Sequence, residues 1–339
     1  MKIRELEIKI GTLPPGSKNC ITDVEGVKVG HFTLNQPLEG EEYLATGVTA
    51  VLPHSGNLYK EKAAAASYVI NGFGKTTGLV QINELGLLES PIMLTNTFGI
   101  PAVTQGTLEY MLDENPEIGD TAGTINIVVG ECNDSYLNSI RLFGVKPEHA
   151  KKAIMNARTD RAAEGAVGAG KGMMCFGYKG GIGSSSRLVE DYTLGCLVLS
   201  NFGSREEFKS LHYQIKQDGS GLQDTPDGSI IIIIAVDAPL NDRQLGRIAK
   251  RAGIGLGRTG SHFSHGSGDI VIAFSTAGTS PHFYEEKTEQ RLQLREDHPI
   301  MNKLFAAAAE AAEEAILNSL SQAETTKGRK GRIVQRCPF

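Results

Sequence analysis

Gly221-Leu-Gln-Asp-Thr-Pro-Asp-Gly228-Ser229 runs straight into Ile230-Ile-Ile-Ile-Ile234-Ala-Val-Asp237, and the reading of this junction decides the fold. Pro, Asp and Gly in that order signal a tight turn. Five consecutive isoleucines are too few to cross a bilayer. A short β-branched run of this kind reads as a strand buried on both faces. Ser229 is therefore expected at the rim of a rigid core strand, behind a segment that can be cut without disturbing that core.

Outward from this junction, the 339 residues have room for one large domain or two ordinary ones. With 40% hydrophobic residues the chain can bury a substantial core, and a net charge of −5 offers no basic footprint for nucleic acid. Forty glycines without a collagen-like period point to many tight turns and close backbone approaches. Cys20, Cys132, Cys175, Cys196 and Cys337 are odd in number and show no C-x-x-C spacing, which argues against a disulfide framework or a zinc site. Met1 to Ile10 alternates charged and apolar residues like a strand and lacks the apolar core of a signal peptide. No stretch is long enough to span a membrane, so the cytoplasm is the expected compartment.

Residues 20–31, Thr46–Leu52, Ile92–Thr95, Thr124–Val129, Thr193–Leu199 and Asp269–Phe274 read as strands. The alanine-rich stretch Lys60–Val69 reads as a helix, as do Leu79–Leu88, 106–114 and Glu148–Arg158, the last with Pro147 at its start. Asn241-Asp242 is expected to cap a helix whose apolar face is Leu245, Ile248, Ala249 and Ala252. Residues 300–320 form the longest helix candidate. No βαβ rhythm and no low-complexity linker appear, so the expectation is one α+β domain spanning 1–339, with helices layered on sheet.

Two motifs invite a false reading. Gly165-Ala-Val-Gly-Ala-Gly170-Lys171-Gly172 nearly fits a phosphate-binding loop, but Gly172 stands where a hydroxyl should hold Mg²⁺. His262-Phe-Ser-His265 and His54 lack the spacing of a metal site, and Gly266-Ser267-Gly268 lacks the frame of a nucleophile elbow.

Several blocks occur in one order along nearly the whole chain: Ile21-Thr-Asp-Val-Glu-Gly-Val-Lys-Val-Gly-His31, Asn71-Gly-Phe-Gly-Lys-Thr-Thr-Gly78, Leu94-Thr-Asn-Thr97, Gly165 to Met173, Lys179-Gly-Gly-Ile-Gly183 and Gly266-Ser-Gly-Asp269. Together they resemble the DmpA family, which comprises L-aminopeptidase/D-amidase/D-esterases and β-peptidyl aminopeptidases. The resemblance implies a four-layer αββα sandwich, similar to N-terminal-nucleophile hydrolases but differently connected. It also implies self-cleavage between Gly228 and Ser229, giving a large subunit, 1–228, and a small one, 229–339. Assembly into homo-oligomers, often tetramers of processed protomers, comes with it.

The chemistry so implied needs no cofactor and no metal. A serine hydroxyl is a poor nucleophile without a base. Cleavage would supply one in the freed α-amine of Ser229, whose ordinary pKa of about 7.7–8.0 leaves a neutral fraction near neutral pH. By resemblance Ser267 and Asp269 are partners of that amine and hydroxyl, Asn201 helps hold the oxyanion, and Tyr136 reaches the reacting centre. Glu131, in Gly130-Glu-Cys-Asn-Asp-Ser-Tyr136, is our candidate for the substrate's ammonium, because a carboxylate recognises an amine directly. Gly228 would let the backbone bend for an N-to-O acyl shift. Substrates would be small peptides, amides or esters with a free N-terminal amine, whether L, D or β. Two other readings stand beside this one: an acyltransferase of the ornithine acetyltransferase type, whose members use threonine where Ser229 stands, and an uncleaved, non-catalytic binding scaffold.

Overall fold

The isoleucine run is a strand, Ser229–Val236, and every residue in it is buried. The computed structural model describes residues 1–216, 218–222 and 228–339, so the turn expected at Pro226-Asp227 lies outside the described residues. In chain order the strands are β1 (Lys28–Pro37), β2 (Tyr43–Leu52), β3 (Glu61–Gly72), β4 (Thr76–Thr77), β5 (Leu87–Leu88), β6 (Ile92–Asn96) and β7 (Val128–Cys132). There follow β8 (Met174–Cys175), β9 (Tyr178–Lys179), β10 (Gly181–Val189), β11 (Tyr192–Asn201), β12 (Ser229–Val236) and β13 (Gly268–Pro281). The helices are α1 (Leu79–Leu85), α2 (Ile100–Glu114), α3 (Pro147–Met155), α4 (Asp242–Thr259) and α5 (Ile300–Ser321).

Of the two large sheets, the first has the order β1-β2-β6-β7-β4 and the second β10-β11-β12-β13-β3-β5. The even isoleucines explain one side of the run. Ile230, Ile232 and Ile234 pack with Leu245, Ile248 and Ala252 of α4 and Leu304, Ala308 and Ile316 of α5. Ile231 and Ile233 point the other way, into a core shared with Val51, Ile92, Leu94 and Val128 of the first sheet. That sheet's outer face, with Val48, Met93 and Val129, is covered by Val103 and Met111 of α2 and Ala150 and Ile154 of α3. Helices, sheet, sheet and helices make four layers, and the two-sided burial of β12 is what five consecutive isoleucines are for.

In the second sheet, β12 pairs antiparallel with β11 and parallel with β13, and β13 pairs antiparallel with β3. Chain from before and after the Gly228–Ser229 bond is therefore interleaved in one sheet. Asn241 caps α4 through its side chain, accepting from the Gln244 N–H at 2.8 Å. The five cysteines are all buried and free. Among the described residues no helix is long and apolar enough to cross a membrane.

Four expectations of local structure change. Lys60–Val69 is not a helix but most of β3: Ala65 faces the inter-sheet core and Ala66 the helix side. The alanines leave room for α4 to lie directly on the strand, with Gly246 against Ala66, and this packing overrides helix propensity. Met1–Ile10 contains a 3₁₀ turn, Ile3–Leu6, rather than a strand, because its charges turn inward: Lys2 pairs with Glu164 at 2.8 Å and Arg4 with Glu314 at 2.9 Å. Within 20–31, Ile21–Asp23 is likewise a 3₁₀ turn and the strand starts only at Lys28. The strand expected at Thr124–Val129 runs instead from Val128 to Cys132, which brings Glu131 inside it.

Candidate active site

Ser229 is the first residue of β12, and its register partner across the antiparallel pairing is Asn201, the last residue of β11. On its other side Ile230 is paired with Asp269, so Ser229 stands beside Gly268 at the start of β13. The Ser229 hydroxyl accepts the Gly268 N–H at 3.1 Å. Ser267 donates its hydroxyl to Asp269 Oδ1 at 2.6 Å. The second oxygen, Oδ2, is buried with no hydrogen-bond partner among the described residues. Burial pushes the Asp269 carboxyl up to about 6, with the Ser267 hydroxyl in partial opposition. A buried carboxylate with a free oxygen beside a serine is prepared for a cationic or protonated neighbour.

The loop carrying Ser267 is held from β3. Asn71 turns its side-chain amide to the carbonyls of Ser264, His265 and Ser267, and the Phe73 N–H donates to the Ser267 carbonyl at 3.2 Å. Two residues on, the Lys75 N–H donates to Glu131 Oε1 at 3.0 Å, while the Thr97 hydroxyl donates to Oε2. The short segment Phe73-Gly-Lys75 thus links the Ser267 loop to Glu131. Glu131 is only 3% exposed, and adjacent Gly130 lies against Ile231 of β12.

Asn201 is fixed at both ends of its amide. Oδ1 accepts the Met174 N–H at 2.9 Å and Nδ2 donates to the Asn133 carbonyl at 3.0 Å. These two contacts decide which end is oxygen, and they leave one Nδ2 hydrogen for another acceptor. Gly228 packs on the same residue: a Cβ there would fall 1.9 Å from the Asn201 carbonyl oxygen. This close approach by itself leaves no room for a side chain at 228.

Tyr136 has its own surroundings. Its ring lies 4.4 Å from the Arg332 guanidinium and packs against the small cluster of Ala45, Leu137, Met174 and Val334. The glycine segment is no phosphate cradle. Gly168–Gly172 forms a 3₁₀ turn whose Gly168 and Ala169 N–H groups are already taken by the hydroxyls of Thr33 and Thr49. His54 is bound locally to the Glu61 carbonyl and the Gly56 N–H. Among the described residues no three metal-ligating side chains come together. The supporting groups Asn71, Lys75, Thr97, Asn133 and Met174 escaped the sequence reading; several lie inside the motif blocks, but their work is done largely by backbone atoms.

The family model for peptidase family S58 matches residues 19–334. The chain belongs to peptidase family S58. Among curated relatives, the β-peptidyl aminopeptidase BapA of Sphingosinicella microcystinivorans is 39% identical, covering 96% of this chain and 86% of its own. A Burkholderia β-aminopeptidase structure superposes with a TM-score of 0.90 at 38% identity, covering 99% of this chain and 95% of that one. The L-aminopeptidase D-Ala-esterase/amidase of Ochrobactrum anthropi, described as a variant of the Ntn-hydrolase fold, superposes with a TM-score of 0.89 at 34% identity, with 99% and 95% covered. The four-layer fold is thus that of the S58 serine aminopeptidases, and this chain is a hydrolase of that kind. Nothing in these relatives favours the acyltransferase or silent-scaffold readings.

Proposed function

We propose that this S58 protein cuts itself between Gly228 and Ser229 and then releases N-terminal residues from small peptides, amides or esters through an acyl-enzyme on Ser229. The observation that carries the reading is the position of Ser229: first residue of a fully buried strand, flanked by Asn201 on one side and Gly268 on the other. Before cleavage its nitrogen is an amide and cannot act as a base. Afterwards it is an α-amine on the nucleophile's own residue, held by the strand, so little orienting cost remains.

The roles follow from the surroundings. The Ser229 hydroxyl attacks the carbonyl, and its proton passes to the α-amine. Asp269, with Ser267 bridging, stabilises the ammonium that forms. The free Nδ2 hydrogen of Asn201 meets the oxyanion, a contact of a kind worth about 3–4 kcal/mol of barrier. Glu131 takes the substrate's ammonium, and Tyr136 reaches the reacting centre. In self-cleavage the Ser229 hydroxyl attacks the Gly228 carbonyl, its proton ends on the Ser229 nitrogen as the Gly228–Ser229 C–N bond breaks, and water hydrolyses the resulting ester to leave the Gly228 carboxylate and the free Ser229 hydroxyl. Fragments 1–228 and 229–339 stay together because β12 and β13 lie between β11 and β3. The working form is a cytoplasmic homo-oligomer of processed protomers, with no nucleic-acid or membrane partner.

Intact-mass measurement of the purified protein tests this directly. Two fragments beginning at Met1 and Ser229 are expected from the native sequence, and one uncut, inactive chain from Ser229→Ala. An uncut native chain that hydrolyses aminoacyl p-nitroanilides, or a Ser229→Ala variant that still does, sinks the proposal. Running the panel with L, D and β residues identifies the preferred N-terminal residue.

A further inference from the structure

Lys179 is fully buried, yet it makes no ion pair shorter than 4 Å with any carboxylate among the described residues. Its Nζ instead meets three backbone carbonyls, Gly170 at 2.8 Å, Met173 at 2.7 Å and Gly180 at 2.7 Å. Burial, with the charge of Lys171 second, pulls its pKa well below the ordinary lysine value. Three carbonyls at these distances nevertheless ask for three donors, which only the ammonium form supplies. A buried cation held chiefly by carbonyl dipoles, with the charge of Asp134 a lesser influence, is expensive, so its placement calls for a reason.

The reason lies at the far end of one peptide plane. A trans peptide points its C=O and its N–H in opposite directions. Lys179 holds the Met173 carbonyl; the N–H of that same peptide belongs to Met174 and donates to Asn201 Oδ1 at 2.9 Å. Lysine, peptide and asparagine amide therefore stand in one hydrogen-bonded line. Positive charge on the carbonyl end makes the N–H a stronger donor, and that bond in turn polarises the Asn201 amide, so its Nδ2 hydrogens become better donors. One of them is held by the Asn133 carbonyl, which leaves the other.

We propose that Lys179 is a positioning residue for the oxyanion contact: through the Met173–Met174 peptide it fixes the orientation of the Asn201 amide and strengthens its remaining N–H. It touches neither substrate nor Ser229. The inference rests on the reading that Asn201 meets the oxyanion, and it adds the device that prepares Asn201 for that task.

A double-mutant cycle tests it, with Lys179→Met, Asn201→Ala and the pair, assayed on an aminoacyl p-nitroanilide with the processed protein. A variant that is isolated uncut is assayed by its rate of self-cleavage instead, since the same oxyanion forms there. Lys179→Met is expected to lower kcat by about tenfold or more while KM moves less than about twofold. In the Asn201→Ala background the same substitution is expected to cost less than about twofold, because its route is already gone. Lys179→Gln, which keeps N–H donors without the charge, is measured beside it, with melting curves as the check on folding; its loss is expected to be smaller and equally absent in the Asn201→Ala background. Equal losses in both backgrounds, an unchanged kcat, or a loss carried by KM overturn the inference. A native protein that neither cuts itself nor hydrolyses the substrate fails the functional reading instead, so the two failures are distinguishable.

Discussion

Asn201 and Ser229 are register partners at the ends of β11 and β12, and Gly228 is wedged against the Asn201 backbone. One strand pairing thus brings together the proposed nucleophile, the proposed oxyanion donor and the residue on the acyl side of the bond to be cut. The sheet's hydrogen-bond ladder sets this geometry, and loops play little part in it.

Gly228→Ala is the sharpest probe of that wedge. The added methyl would overlap the Asn201 carbonyl oxygen, and backbone atoms on both sides must shift to accept it. Self-cleavage is expected to slow by at least about tenfold, since attack geometry is sensitive to displacements of about 1 Å. The fraction of uncut chain against time, read by intact mass, checks it; processing at the native rate would remove the wedge from the account.

Glu131→Gln keeps an oxygen for the Lys75 N–H and an NH2 that can donate to the Thr97 hydroxyl in place of accepting from it, but removes the charge. A hydrogen-bonded charge contact is worth about 1.5–3 kcal/mol, so KM for substrates with a free amine is expected to rise about ten- to a hundredfold. Hydrolysis of an N-acetylated ester, which has no ammonium to lose, should be unaffected. Equal losses on both substrates would show that Glu131 supports the site without recognising the amine.

Asp269 gives a pH signature. Its native pKa lies near 6, above the ordinary 3.8, because burial disfavours the charge. The native state therefore binds this proton more tightly than the unfolded chain. Stability present below pH 3.8 is lost as pH rises towards 6, by at most about 3 kcal/mol at 1.36 kcal/mol per pKa unit. In Asp269→Asn that loss disappears, and melting temperatures at pH 4 and pH 7.5 should converge. An α-ammonium on Ser229 would draw the carboxyl back down. The acidic limb of kcat/KM is accordingly expected at or below about pH 6 and absent from whatever activity Asp269→Asn retains.

Stability also hangs on Arg187, which is fully buried between Glu310 at 3.0 Å and Glu314 at 2.7 Å. Truncating one partner of a buried ion pair costs about 3–5 kcal/mol; here Glu310 loses its guanidinium and Glu314 keeps only Arg4. Arg187→Met is expected to lower the urea midpoint by a corresponding amount while leaving the slope unchanged. A variant as stable as the native protein would remove this ion pair from the account of stability.

Much of the fold was legible from local pattern. The isoleucine strand, the Asn241 cap, the Pro147 helix start and the long C-terminal helix follow from burial, capping and periodicity, which act over a few residues. Lys60–Val69 did not follow, because its alanines answer to α4 packed across the strand, a contact made with residues almost two hundred positions away. The charged N-terminus misled for a similar reason: Arg4 finds its partner Glu314 only in the folded chain.

The candidate site divides in the same way. Sequence alone determined which residue types stand at 201, 229, 267 and 269, and the motif blocks around them; it determined that Ser229 opens a strand with two buried faces. Tertiary structure decided that Asn201 is the neighbour of Ser229, that Gly228 must be small because another backbone presses on it, and that a buried lysine lies behind the asparagine amide. Side-chain identity is written along the chain. The direction of a backbone N–H or C=O is set only when strands pair, and in this site those backbone groups position most of the side chains.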